Sequence, residues 1–201
     1  MDKKNLLKKI LANGIVEISL DKPLLMTEGI WAPVRFCSER ISYKNVKLRG
    51  DVVAEMAALV KTFVDGRGVI LAAATREAEP LVAVLASKLR LKNICLQGHC
   101  VGDDKVYSFD KDVVKNSQVI VIDCAIKTNI SKLPDVASIE SYGGQIKAIC
   151  ALFNYELAAS LNFSSIPFCS ILTFSDLLEE VTAEQRQVLI HWHNNPSCWH
   201  G

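Results

Sequence analysis

The stretch Val119-Ile-Val-Ile-Asp-Cys-Ala-Ile-Lys-Thr-Asn-Ile-Ser131 decides how this chain is read. Its first four residues, Val119 to Ile122, are all β-branched. An unbroken apolar run of that kind is the pattern of a central parallel strand covered on both faces. Asp123 then emerges at the strand's carboxyl end, and a loop of hydroxyl and small polar residues follows, up to Ser131. In open α/β sheets, ligands gather beyond those carboxyl ends.

On either side the chain alternates strand, loop and helix. Val69 to Ala73 is expected as a strand, Glu79 to Leu89 as a helix, Asn93 to Leu96 as a strand and Val106 to Phe109 as a short one. Beyond Ser131 come a helix over Pro134 to Ser141 closed by Gly143-Gly144, strands over Ile146 to Phe153 and Phe168 to Leu172, and a terminal helix over Phe174 to Ile190. Such alternation implies right-handed crossovers and a largely parallel sheet. Nearer the amino terminus, Leu6, Leu7, Ile10 and Leu11 have helical spacing before an Asn13-Gly14 stop. Ile15 to Leu20 alternates as a strand, Pro23 to Pro33 is irregular, and Val34 to Cys37 is a second short strand. Asp51 is placed to cap a helix over Val52 to Val64.

The 201 residues, half of them hydrophobic, suffice for one domain with a sizeable core. With 23 basic and 22 acidic residues, the net charge of +1 leaves no electrostatic footprint for nucleic acid. Seven cysteines without C-x-x-C spacing read as reduced thiols of a cytosolic protein. The segment Met1 to Ile10 interleaves apolar and charged residues, unlike a signal peptide or membrane span, so the expected location is the cytoplasm, with no membrane partner.

The opening stretch resembles the phosphoribosyl-diphosphate (PRPP) loop of type I phosphoribosyltransferases, a hydrophobic strand, two acids, two spacers, then Thr-Thr-Gly-x-Ser. Asp123 stands at the first acid, Thr128 at the second Thr and Ser131 at the Ser. Cys124 replaces the second acid, Lys127 the first Thr and Asn129 the Gly. Other strings are similar to orotate phosphoribosyltransferase in order and spacing. Met26-Thr-Glu-Gly-Ile-Trp-Ala-Pro33 resembles Leu-(Lys or Thr)-Ser-Gly-x-x-Ser-Pro, Ala72 to Leu81 falls at the pyrophosphate loop, and Gly143-Gly144 precedes a matching strand.

The resemblance implies a type I phosphoribosyltransferase fold, α/β with a small amino-terminal hood mainly over 1–45, a core over about 46–175 and a terminal helix and tail over 176–201, and a homodimer. It also implies Mg²⁺-dependent transfer of phosphoribose from PRPP to orotate, giving orotidine 5′-monophosphate and pyrophosphate. Asp123 would be the catalytic carboxylate holding the ribose hydroxyls, while Lys127, Thr128, Asn129 and Ser131 would contact the 5′-phosphate; no residue is assigned as a metal ligand. The departures fall on the chemical side. Where the family carries Arg-Lys-x-x-Lys-x-His-Gly, this chain has Gln97, Gly98, Val101, Asp103 and Asp104 in the defining positions. Arg76-Glu77-Ala78-Glu79 brings acids and no Gly to the pyrophosphate loop, and the family's Asp-Arg pair reads Asn154-Tyr155. Negative charge building on a leaving diphosphate needs cations. The expectation is therefore weakened or lost activity, and the alternative is a noncatalytic relative that binds a nucleotide or phosphosugar or serves as a dimerisation and regulatory module.

Each site residue also has a plainer reading. Asp123 can cap the strand end, Thr128 and Ser131 can start the next helix, and Lys127 can be a solvated loop cation. Cys124 lacks a nearby histidine and reads as inert rather than nucleophilic. His191, His193, Cys198 and His200 are candidate zinc ligands, but their spacing fits no standard site, and the aromatic-rich tail can simply pack. Trp31 reads as packing rather than a base-stacking platform.

Overall fold

The computed structural model describes residues 2–26, 31–66, 68–96, 98–101, 104–107, 109, 111–127, 133–157 and 166–196. Helix α1 (Lys3–Ala12) is capped by the Asp2 carboxylate and buries Leu6, Leu7 and Ile10; Gly14, at φ 63°, closes it. The short strands β1 (Val16–Ile18), β2 (Leu24–Leu25), β3 (Trp31–Ala32) and β4 (Val34–Phe36) follow, β1 pairing with β4 and β2 with β3, both antiparallel. The segment expected to be irregular thus contains two short strands.

After α2 (Arg40–Tyr43), α3 runs over Val46–Lys61. Here the expectation from Asp51 is corrected. Asn45 is the cap, its side chain accepting from the Leu48 amide at 3.1 Å, and Asp51 lies inside the helix, bonded to Lys9 Nζ at 2.7 Å. The helix begins earlier because Leu48 heads the row of buried residues continued by Val52, Met56 and Val60.

The rest supplies the main sheet: β5 (Val69–Ala73), α4 (Glu79–Leu89), β6 (Lys92–Cys95), β7 (Gly98–Val101), β8 (Asp104–Tyr107), α5 (Lys111–Val114), β9 (Gln118–Ile126), α6 (Leu133–Ser141), β10 (Gln145–Asn154) and β11 (Phe168–Thr173). Strands β7 and β8 form a separate antiparallel hairpin. The other five make one parallel sheet in the order β11-β10-β9-β5-β6. The fold class is α/β with a central parallel sheet flanked by helices. Along β9, Ile120, Ile122 and Cys124 enter the apolar layer shared with α1, α3 and α4, while Val119 and Val121 enter the layer shared with α5 and α6. Two covered faces account for the unbroken β-branched run.

The expected single terminal helix is two, α7 (Phe174–Glu180) and α8 (Ala183–Asn194). Thr182 and Gln185 form a capping box that begins α8, after Val181 has left helical geometry at ψ 163°. Trp192 of α8 is fully buried, packs on Tyr155 and Phe174, and donates from Nε1 to the Trp31 carbonyl at 3.0 Å. Trp31 itself is 46% exposed.

Two positions in this framework give measurable consequences. A Cβ on Gly144 would come within 2.7 Å of Val114 Cγ1 and 2.8 Å of Ile139 Cγ2, where β10 begins beneath α5 and α6. Gly144→Ala is expected to lower stability by about 2 kcal/mol in thermal unfolding, through overpacking. Gly66→Ala, with nothing within 4 Å, is expected to stay within about 0.5 kcal/mol of the parent.

The second position is Glu17. Burial pushes its carboxyl up, but hydrogen bonds from Arg35 and Arg40 outweigh that and hold it below its ordinary value of 4.5. The folded state therefore releases this proton more readily than the unfolded chain. The stability gained is present above the unfolded value and is lost as pH falls through the folded one. Glu17→Gln is expected to flatten the dependence of melting temperature on pH below about 4.5 while lowering it near neutrality. Equal acid sensitivity in both proteins would contradict this.

Candidate functional site at the carboxyl rim of β9

The strand order reverses at β5 and β9. From β5 the chain moves outward to β6, then returns to β9 on the other side of β5, the topological position at which ligands bind in open α/β sheets. Asp123 lies on β9 at that reversal. Strand β9 runs three residues past it, which corrects the expectation that the strand ends at Ile122: β10 still pairs with β9 as far as Ile126, whereas β5 stops opposite Ile122. The last rung to β5 is the Ala74 amide to the Ile122 carbonyl, 2.9 Å. The carboxylate therefore sits within a strand but just beyond the point where one neighbour has left, and it is 3% exposed.

What replaces β5 there is its own loop. Thr75 is extended and caps a short 3₁₀ turn, Arg76–Ala78, its hydroxyl accepting from the Ala78 amide at 3.2 Å and donating to Asp123 Oδ1 at 3.4 Å. The same carboxylate oxygen accepts from the Cys124 amide at 2.8 Å. Arg76 and Glu77 are exposed on the turn.

Cys124 points to the opposite face of β9 from Asp123, as alternation requires, into the first apolar layer, with its thiol 3.9 Å from the Glu77 carbonyl. A hollow of about 90 Å³ adjoins it, lined by Ile41, Val53, Leu81, Arg49 and Glu77 among others. Sites for small organic ligands are typically several-fold larger, ≈ 300 Å³ or more, so a phosphosugar would not fit there.

Of the other residues singled out from sequence, Lys127 follows β9 directly and is half-buried. Thr128, Asn129 and Ser131 lie outside the described residues, as do Thr27, Gly29, Gln97 and Asp103. Gly98, Val101 and Asp104 belong to the β7–β8 hairpin.

Asn154-Tyr155, at the end of β10, is not a charged pair facing a ligand. Asn154 Oδ1 accepts from the Glu156 amide at 2.9 Å, and Tyr155 is fully buried, packed on Phe153 and Trp192, with its hydroxyl accepting from the Phe36 amide at 2.8 Å. In the tail, His193 stacks on Phe174 at 4.5 Å with Nε2 2.9 Å from the Tyr155 carbonyl, while His191 is exposed. Cys198 and His200 lie outside the described residues. Among the described residues no group of three or more His, Cys, Asp or Glu is arranged to hold a metal.

Thr75 is the site residue that sequence reading passed over. Its only local signal is a hydroxyl three residues before Ala78, a cap spacing.

No family model matches the chain. It is 26% identical over 208 residues to the orotate phosphoribosyltransferase of Lactobacillus johnsonii, covering 99% of this chain and 97% of that protein. It is also 26% identical to the enzyme of the same name from Bacillus pumilus, covering 97% and 95%. Among solved structures, Leishmania donovani UMP synthase superposes with a TM-score of 0.75 at 16% identity, over 96% of this chain and 42% of that one. Orotate phosphoribosyltransferase from Aeropyrum pernix gives 0.73 at 18%, over 87% and 97%. The Mycobacterium tuberculosis orotate phosphoribosyltransferase in complex with PRPP gives 0.58 at 15%, over 88% and 99%. These superpositions identify the fold as that of the type I phosphoribosyltransferases.

Proposed function

We propose that this chain, a near full-length homologue of orotate phosphoribosyltransferases, binds PRPP at the carboxyl rim of β9 and transfers its phosphoribose to orotate. The products are orotidine 5′-monophosphate and pyrophosphate. The observation that carries the reading is the Asp123 carboxylate, tied to the loop after β5 at the point where the strand order reverses.

In this reading Asp123 accepts hydrogen bonds from the ribose hydroxyls. Lys127, Thr128, Asn129 and Ser131 surround the 5′-phosphate, and Arg76 lends a cation to the diphosphate. A ring nitrogen of orotate gives up its proton and bonds to ribose C1 as the C1–O bond to the diphosphate breaks; the departing oxygen gathers negative charge, and the proton passes to solvent or to the released pyrophosphate. Mg²⁺ fits as a companion of the polyanion rather than as the occupant of a protein cage. Asp123 offers a hard oxygen donor, and the ion would neutralise charge on the leaving group.

Turnover is proposed to be slow, because the positions of Gln97, Gly98, Val101, Asp103 and Asp104 supply no cation and Tyr155 is committed to the core. The protein is proposed to work as a homodimer in the cytoplasm. Among the described residues no helix is long and apolar enough to cross a membrane.

Following orotate absorbance with PRPP and Mg²⁺ tests the reading. Orotate consumption that stops without PRPP supports it. PRPP binding without turnover would assign the chain to noncatalytic phosphosugar binding, and absence of both would overturn it.

A further inference from the structure

Beyond Ala74 the chain crosses the rim of β9, and the two lie together through contacts made by consecutive β9 residues on opposite faces. On one face the Thr75 hydroxyl meets Asp123 Oδ1; on the other the Cys124 thiol meets the Glu77 carbonyl. The hydroxyl has a single proton. Because it accepts from the Ala78 amide, that proton is directed at the carboxylate, and the 75–78 turn and Asp123 are joined through one oxygen atom.

We infer that Thr75 is a positioning residue: it locks the orientation of the Asp123 carboxylate to the turn after β5, so that a diphosphate at the turn and a ribose at the carboxylate are bound as one unit. The inference rests on the PRPP reading above and adds a residue to it. Held groups contribute more than mobile ones because ligand binding need not order them. A small displacement of Asp123 on loss of the Thr75 hydroxyl would therefore weaken binding. Valine matches threonine in shape and suits the extended backbone at this position but removes both hydrogen bonds, while serine keeps them.

Calorimetric titration with PRPP and Mg²⁺ separates the possibilities, using wild type, Thr75→Val, Thr75→Ser, Asp123→Ala and the Thr75→Val/Asp123→Ala double variant, each first shown to be folded by thermal unfolding. Thr75→Val is expected to weaken PRPP about 10-fold and Thr75→Ser about 2-fold or less. The valine substitution is expected to add almost nothing once Asp123 is alanine, because its effect runs through the side-chain oxygen that alanine lacks. A general structural role would instead weaken binding equally in both backgrounds. Wild-type affinity in Thr75→Val, or a full second loss in the double variant, overturns the inference while leaving the PRPP reading intact. No binding by the wild type overturns the reading, and this inference with it.

Discussion

Replacing Asp123 by asparagine is expected to lower PRPP affinity, or turnover where it is measurable, by on the order of 10²-fold or more, with little change in thermal stability. Asparagine has nearly the same shape and can still accept from the Cys124 amide, so the fold has no reason to change. What disappears is the negative charge that would receive ribose hydroxyls, and charged hydrogen bonds are about twice as strong as neutral ones. Holding a carboxylate at 3% exposure is itself unfavourable. A melting temperature equal to or slightly above wild type is therefore expected, as at many functional positions. Titration calorimetry and thermal unfolding on the same samples give both quantities. Unchanged affinity, or lost affinity accompanied by a large fall in stability, would leave Asp123 a structural residue.

The largest stability effect is expected at Trp192. The indole is fully buried, ringed by Tyr155, Phe174 and His193, and its nitrogen satisfies the Trp31 carbonyl on β3. Trp192→Ala removes that hydrogen bond and leaves a cavity between α8, β10 and the amino-terminal strands. The expected loss is about 4 kcal/mol, or roughly 12 °C in melting temperature for a chain of this size. Ile190→Ala on the same helix, at a side chain 41% exposed, is expected to change stability by about 0.5 kcal/mol or less. A loss under about 1 kcal/mol at Trp192 would contradict the packing described for the carboxyl-terminal helix.

Trp192 also shows why the tail was hard to read. Its histidines invite a metal interpretation, yet α8 turns His191 to solvent while Trp192 and His193 pack on the body, and only tertiary structure decides which. The break before α8 was legible in principle, since Thr182-Ala-Glu-Gln185 is a capping-box sequence, but the apolar residues on either side suggested continuity.

The parallel sheet is readable from the apolar runs of β5, β9 and β10, β-branched from Val119 to Ile122, and α4 from Pro80 in its first turn. From sequence alone β9 ends at Ile122, because a charged residue follows. It continues because β10 still offers a ladder of hydrogen bonds up to Ile126. That continuation separates Asp123 from Cys124 by placing them on opposite faces of the strand. Thr75 and Asp123 are 48 residues apart, so no local pattern reveals their contact. Tyr155 reads as a lost cation in sequence and proves to be a core residue whose hydroxyl holds β4.

A diffraction experiment on crystals grown with PRPP and Mg²⁺ tests the central claim most directly. The expected result is ligand density with the ribose against Asp123 and the 5′-phosphate within the 127–131 loop. Density seated elsewhere, or a ligand-free rim at saturating PRPP, would contradict it.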